Sequence, residues 1–167
     1  MNSYVEEVIK KYRNSGVILD TNILLLYCIG SVDTTRVISS KRLQSRGYTQ
    51  DDYMILDELL RCFRQPITTP NILTEVSNFL GQMPENLHAL YFSRFSNLIP
   101  NFDENYIASS DIANTAQFNT LGLTDSGIIQ TARNRFLIIT DDFKLSQYSQ
   151  HLGVDALNFN HIRELNW

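Results

Sequence analysis

The segment "GVILDTNILLL", Gly16–Leu26, places a single carboxylate between two apolar runs. The run "GVIL" is typical of a short buried strand, and "TNILLLYCIG" is typical of a helix that ends near Gly30. Asp20 lies at the junction. By itself it is most simply explained as the N-cap of that helix, and the alternative is that it belongs to a functional site. Other acidic residues along the chain have to decide between these two interpretations.

Composition predicts one globular domain that spans residues 1–167. Hydrophobic residues make up 43% of the chain and charged residues 19%, a balance that allows a sizeable core. No apolar run reaches the ~18 residues of a membrane span. The charged start, "MNSYVEEVIKKYRNSG", lacks the apolar region of a signal peptide. Together with Cys28 and Cys62, interpreted as reduced core thiols, these features predict a cytoplasmic protein.

The net charge of −4 argues against a general basic coat for nucleic acid. Basic residues nevertheless cluster locally, and ordinary solvated faces are the simpler explanation of any one cluster. The clusters are Lys10, Lys11 and Arg13; Lys41, Arg42 and Arg46; and Arg61 and Arg64.

Strand-like segments alternate with helical segments along the chain. After "GVIL" come "ITTP", "RFLIIT" and "VDALNF", with amphipathic stretches between them. We expect one helix in "QDDYMILDELLRCFRQP", closed by Pro66, and another in "ASSDIANTAQFNTLG", stopped at Gly122. Such alternation predicts an α/β fold with a mostly parallel central sheet flanked by helices. Ligands of such sheets bind beyond the carboxyl ends of the strands.

Acidic residues follow three of the predicted strands. Asp20 follows "GVIL", Glu75 lies near the start of the helix after "ITT", and Asp141 and Asp142 follow "FLIIT". Glu75 is adequately explained by the helix macrodipole. One of Asp141 and Asp142 could cap the next helix while the other points at a site, and the Thr140 hydroxyl could hold a carboxylate.

Asp125 is the most informative acid. The residues three, four and seven positions further on are Ile128, Ile129 and Ala132, which places Asp125 on the apolar face of its helix. An unpaired buried carboxylate would cost several kcal/mol. Thr124 explains the N-cap of this helix but does not explain the orientation of Asp125. Since no Lys or Arg lies on that face of the helix, a bound cation is the economical partner.

Acids from distant positions at one sheet edge would repel one another unless a cation were present. Oxygen ligands suit hard ions such as Mg²⁺ or Mn²⁺. Such ions lower the pKa of a bound water and hold a phosphodiester for in-line attack. We find no Ser/His/Asp or Cys/His pairing and no glycine-rich phosphate loop that would indicate other chemistry.

Four motifs resemble those of the PIN-domain nucleases, in the order of that family. They are "ILDTN" at Ile18–Asn22, "TEVSNFL" at Thr74–Leu80, "GLTDSGIIQTA" at Gly122–Ala132 and "IITDDFKL" at Ile138–Leu145. Each motif is short, and the four in order cover most of the chain.

The resemblance implies a three-layer Rossmann-like PIN fold and an Mg²⁺- or Mn²⁺-dependent endoribonuclease. The implied acidic metal site consists of Asp20, Glu75, Asp125 and Asp142, with Asp141 as the alternative ligand at the last motif and with Asn22 and Thr140 in support. Many small bacterial members are toxins that a small antitoxin inhibits, and many form dimers, so an antitoxin and a homodimer are the expected partners besides RNA. The stretch between Asp20 and Glu75 is longer than in the compact toxins.

Two other functions compete with the nuclease hypothesis. A non-catalytic PIN-like module could bind RNA or a protein, although such a module would be expected to have lost acids. A phosphatase with an Asp nucleophile would carry Asp-x-Asp after the first strand, where this chain has Asn22, and its late lysine could only be Lys144.

Overall fold

Five short parallel strands form the centre of the molecule, and helices cover both faces of the sheet. The computed structural model describes residues 3–164. The strands are β1 (Val17–Leu19), β2 (Pro66–Thr68), β3 (Asp103–Glu104), β4 (Leu137–Thr140) and β5 (Ala156–Asn158), in the spatial order β3-β2-β1-β4-β5. The predicted three-layer α/β fold with a parallel sheet is confirmed.

Ten α-helices connect and flank these strands within residues 3–164. They are α1 (Ser3–Tyr12), α2 (Thr21–Gly30), α3 (Lys41–Gln44), α4 (Gln50–Leu60), α5 (Pro70–Leu80), α6 (Glu85–Leu98), α7 (Ser109–Ala113), α8 (Phe118–Ala132), α9 (Phe143–His151) and α10 (Phe159–Glu164). Short 3₁₀ turns cover Thr34–Ser39 and Ile99–Asn101.

The segment that opens the sequence forms the middle of the core. Val17, Ile18 and Leu19 pair with Leu137, Ile138 and Ile139 of β4, and every residue of both strands is buried. Such continuous apolar strands are expected where helices cover both sheet faces. Helix α2 is apolar on all sides because it packs against α4, α5 and α6.

The strand order reverses between β1 and β4. From β1 the chain adds β2 and β3 on one side, and it later places β4 and β5 on the other side. In open α/β sheets this reversal leaves a crevice beyond the carboxyl ends of the two central strands, and ligands bind there. Asp20 follows β1 and Asp141 follows β4, so both acids lie at this crevice.

Three sequence predictions about individual elements were wrong. Helix α4 ends at Leu60, and Pro66 begins β2 instead of closing that helix. The stretch predicted as one helix to Gly122 is divided, since α7 ends at Ala113 and α8 begins at Phe118. Strand β3 was missed because its two residues are exposed and acidic and lack the strand pattern.

In the described range 3–164, no helix has both the length and the apolar character needed to cross a membrane. Cys28 and Cys62 are both free thiols, the first buried and the second half-buried.

Candidate functional site

A cavity of about 470 Å³ opens at the carboxyl edge of the sheet, beside the β1–β4 crevice. Four of the predicted acids line it, and they come from four separate parts of the chain. The lining residues are Asp20, Thr21, Asn22, Arg42, Arg46, Glu75, Leu121, Gly122, Leu123, Thr124, Asp125 and Asp142. Asp141 and Thr140, which were also predicted for the site, lie behind this lining and contact Asp20.

Asp20 is both a helix cap and a member of the site. Its Oδ1 accepts a hydrogen bond from the Ile23 backbone N–H at 2.8 Å, as an N-cap does. Its Oδ2 accepts from the Thr140 hydroxyl and from the Asp141 N–H. Only 4% of Asp20 is exposed. Burial, followed by the negative charge of Asp141, raises the pKa of Asp20 to about 8.

Two threonine hydroxyls hold Glu75. Thr21 donates to Oε2 at 2.7 Å, and Thr124 donates to Oε1 at 2.5 Å. These bonds connect helix α5 to the first residue of α2 and to the segment of α8 that follows Gly122. The prediction of Thr124 as an N-cap was therefore wrong, since this residue lies inside α8 and its hydroxyl is directed to Glu75.

A kink in α8 places Asp125 at the cavity. Gly122 has φ 78° and ψ −171°, which is not helical and is a conformation that favours glycine. The straight part of the helix after Gly122 buries Ile128, Ile129 and Ala132, as predicted. Asp125 itself is half-buried at the cavity wall, whereas the sequence predicted a fully buried carboxylate on the apolar face of the helix.

Asp125 makes no hydrogen bond or ion pair with any residue in the described part of the chain. Burial raises its pKa to about 7, and the negative charges of Asp142 and Glu75 add to this effect, while Lys144 opposes it. A carboxylate in this position is stabilised either by a proton or by a cation from outside the chain.

The two consecutive acids after β4 have different roles. Asp142 caps α9, since its Oδ1 accepts from the N–H groups of Lys144 and Leu145 at 2.7 and 3.0 Å, and it also lines the cavity. Asp141 is buried and internally paired. Asn22 donates to its Oδ1 at 2.9 Å, and Arg46 lies 3.4 Å from its Oδ2.

The two arginines of the cavity are the residues that sequence reasoning undervalued. Arg42 lies on α3, Arg46 follows that helix, and the Arg42 Nε donates to the Asn22 side chain at 2.9 Å. They belong to the cluster with Lys41 that we interpreted as a solvated face. The available signal was their place in the stretch between Asp20 and Glu75 that is long for the resembled family.

The side chains offer oxygen donors to a metal ion, but they are not gathered into a binding group. Among the residues that the structure describes, no three His, Cys, Asp or Glu side chains form a group that could hold a metal ion. Each oxygen of Asp20 and Glu75 already accepts at least one hydrogen bond. Among the four acids that line the cavity, three carboxylate oxygens accept no hydrogen bond from residues 3–164. They are both oxygens of Asp125 and Oδ2 of Asp142. All of these donors are oxygens, the ligand type that hard divalent cations prefer.

Comparison of the chain with protein-family models, with curated proteins and with solved structures finds no match in any of the three. The fold and the cavity alone give the class of protein. It is a three-layer α/β protein with a cluster of carboxylates where the strand order reverses. A closer relationship depends on the four motifs alone.

Proposed function

We propose that this protein is a PIN-like, metal-dependent endoribonuclease that hydrolyses RNA phosphodiester bonds. One observation carries the proposal: Asp20, Glu75, Asp125 and Asp142 come from four separate segments and line one cavity. That cavity lies at the strand-order reversal, the place where this fold class binds ligands. A structural explanation covers Asp20 and Asp142 as helix caps, but it leaves Asp125 without a partner.

Asp125 and Asp142 would hold the ion through their open oxygens, with the remaining lone pairs of Asp20 and Glu75 beside them. When bound, Mg²⁺ or Mn²⁺ supplies a water of lowered pKa and neutralises charge on the reacting phosphate. The chain itself keeps these carboxylates in place. Thr140 and the Asp141 N–H fix Asp20, and Thr21 and Thr124 fix Glu75.

Arg42 and Arg46 supply local positive charge at the cavity, although the net charge of the chain is negative. Both line the acidic cavity, so an incoming phosphate meets two guanidinium groups despite the net charge of −4. Guanidinium groups bind phosphate oxygens through paired N–H donors. RNA is the proposed substrate because the four motifs resemble those of a family of ribonucleases.

The direct test is cleavage of RNA by purified protein with Mn²⁺ or Mg²⁺, compared with EDTA. Asp20→Asn is a suitable variant because asparagine still caps a helix, so α2 is expected to form. Glu58→Gln, on the exposed side of α4, is the control for loss of one acid elsewhere. We expect cleavage by wild type and Glu58→Gln and loss of cleavage by Asp20→Asn. Equal cleavage by all three proteins would refute the proposal.

A toxin role adds a separate expectation, because toxins of this kind arrest growth when their antitoxin is absent. Expression of wild type should then stop growth, and Asp20→Asn should relieve the arrest. Growth unaffected by wild type that cleaves RNA in vitro would reject the toxin role and leave the ribonuclease intact. The antitoxin and the homodimer stay predictions.

A further inference from the structure

A second cavity, of about 330 Å³, adjoins the acidic one, and Arg42 lines both. Its volume is at the small end of the ~300–1,000 Å³ found for ligand pockets. Its wall combines an aromatic ring with polar and basic groups. Besides Arg42, the lining includes Ser39, Lys41, Phe79, Gln82 and Met83.

Arg42 separates the two cavities and packs on the Phe79 ring, which lines the second one. The guanidinium carbon of Arg42 lies 4.8 Å from the centroid of the Phe79 ring, a cation–π contact. The Arg42 Nε is fixed by Asn22. Within residues 3–164, its two Nη atoms have no hydrogen-bond partner, so they are available to a ligand.

Helix α5 sets the spacing between the cavities. Glu75 and Phe79 are four residues apart and lie on one face of the helix, about one turn or ~5.4 Å from each other. A group bound between the acids is thus directly followed by the aromatic wall. A nucleic acid strand has this arrangement, with a phosphate and then a base.

We propose that the second cavity binds the base of the nucleotide next to the phosphodiester that the acidic cavity holds, in single-stranded RNA. This inference rests on the proposed function and names its substrate class. Unpaired bases stack on aromatic side chains and on guanidinium planes. The exposed Gln82 amide can donate to or accept from a base edge, and the exposed Lys41 can bind the RNA backbone. The exposed Ser39 hydroxyl already donates to the Arg36 carbonyl at 2.7 Å, so it can only accept from a base. A base inside a duplex is already stacked and paired and cannot enter.

The test measures stacking separately from cleavage. A single-stranded RNA tetranucleotide that carries the fluorescent base 2-aminopurine is titrated with protein in Ca²⁺, and gel analysis checks that it stays intact. Stacking in the cavity should quench the fluorescence. Phe79→Leu keeps the apolar bulk but removes the ring, so it should abolish the quenching and raise the Kd about 10-fold. Phe79→Trp keeps an aromatic ring, so it should retain the quenching and the wild-type Kd.

Phe92→Leu is the matched control, since Phe92 is a partly exposed ring on α6 that lines neither cavity. It should bind like wild type. Circular dichroism and thermal unfolding verify that each variant folds, and if Phe79→Leu is unfolded, Gln82→Ala takes its place with a smaller expected rise in Kd. Absence of quenching by wild type, or equal quenching by Phe79→Leu, would overturn the inference.

Two further arms separate this inference from the proposed nuclease. Quenching that depends on Phe79 in a protein without any cleavage supports the base site and rejects the nuclease, leaving an RNA-binding module. Cleavage that Asp20→Asn abolishes, together with Phe79→Leu behaving as wild type, supports the nuclease and rejects the base site. A double-stranded RNA with the same reporter should show no Phe79-dependent change, and equal binding of both forms contradicts the preference for single strands.

Discussion

Asp141 and Asp125 are two carboxylates whose charges act on Asp20, and the protein treats them in opposite ways. Asp141 is buried, with Asn22 on one oxygen and Arg46 near the other. Asp125 is half-buried at the cavity wall and has no partner within residues 3–164. The chain thus neutralises one acid from inside and leaves the other to a group from outside.

The difference separates structural acids from candidate ligands better than burial does. Asp141 already has a guanidinium beside it and gains little from a cation. Asp125, whose pKa is raised by burial and by the charges of Asp142 and Glu75, gains much. Asp141 therefore lies in the scaffold behind the cavity, and Asp125 lies on the cavity wall, where a ligand can reach it. Four predictions test this difference between the two acids.

The largest effect is expected for Asp125→Asn, which should lower the rate of RNA cleavage at least about 100-fold, because removal of even a supporting group of a metal site costs ~10–100-fold. The metal-free variant should nevertheless be at least as stable as wild type, since the repulsion from Asp142 and Glu75 disappears. Cleavage kinetics and thermal unfolding in EDTA measure the two effects. Asp103→Asn, on the exposed edge strand, is the control. A variant that cleaves normally would place Asp125 outside the site.

This contrast shows where sequence reasoning succeeds. Alternation of apolar strands with helices predicted the parallel sheet, because an apolar run buried on both faces leaves few other folds. The same pattern predicted that Asp20, Glu75 and Asp142 lie at the carboxyl edge of the sheet. Helical periodicity identified Asp125 as anomalous, and the structure places it at the cavity.

The parts that sequence could not predict depend on contacts between distant residues. Nothing local distinguishes Asp141 from Asp142, and their roles differ because Asn22 and Arg46 lie beside only one of them. The Thr124 hydroxyl fitted a helix cap equally well until the position of Glu75 was known. Arg42 and Arg46 looked like surface charges because α3 is too short to show an amphipathic pattern.

A second prediction concerns stability and pH in EDTA. The folded-state pKa values of Asp20 and Asp125, about 8 and about 7, exceed the ordinary value of 3.8. Between these limits the folded state binds more protons than the unfolded state, so the free energy of unfolding falls as the pH rises from about 4 to 8. At about 1.4 kcal/mol per pKa unit, the two shifts set an upper limit on this loss on the order of 10 kcal/mol.

Chemical denaturation at pH 5.5 and pH 8 measures this change. Mn²⁺ should reduce the loss because a cation favours the charged carboxylates, and Asp125→Asn should reduce it without metal. A free energy of unfolding that is equal at both pH values would show that the acids are not crowded as the structure indicates.

A third prediction tests the internally paired side of the contrast. Arg46→Ala removes the guanidinium from buried Asp141, and we expect a loss of about 1–3 kcal/mol in the free energy of unfolding, the cost of leaving a buried charged group short of a partner. Arg64→Ala, at an exposed site, controls for loss of one positive charge. Equal stability of the two variants would mean that Arg46 contributes little to the stabilisation of Asp141.

The smallest effect is expected for Lys144→Met, which removes a positive charge near Asp125. Lys144 is exposed and lowers the pKa of Asp125, so its removal should raise that pKa and move the acidic limb of the cleavage–pH profile to higher pH. The Lys144 Nζ also donates to the Thr120 carbonyl at 2.6 Å, near the Gly122 kink. Lys144→Arg keeps the charge and a donor and should leave the profile in place, and Lys10→Met, on α1, controls for net charge. Because the charge of Lys144 acts through water, added salt should shrink the shift. A shift of the same size in Lys10→Met would assign it to net charge and remove Lys144 from the environment of Asp125.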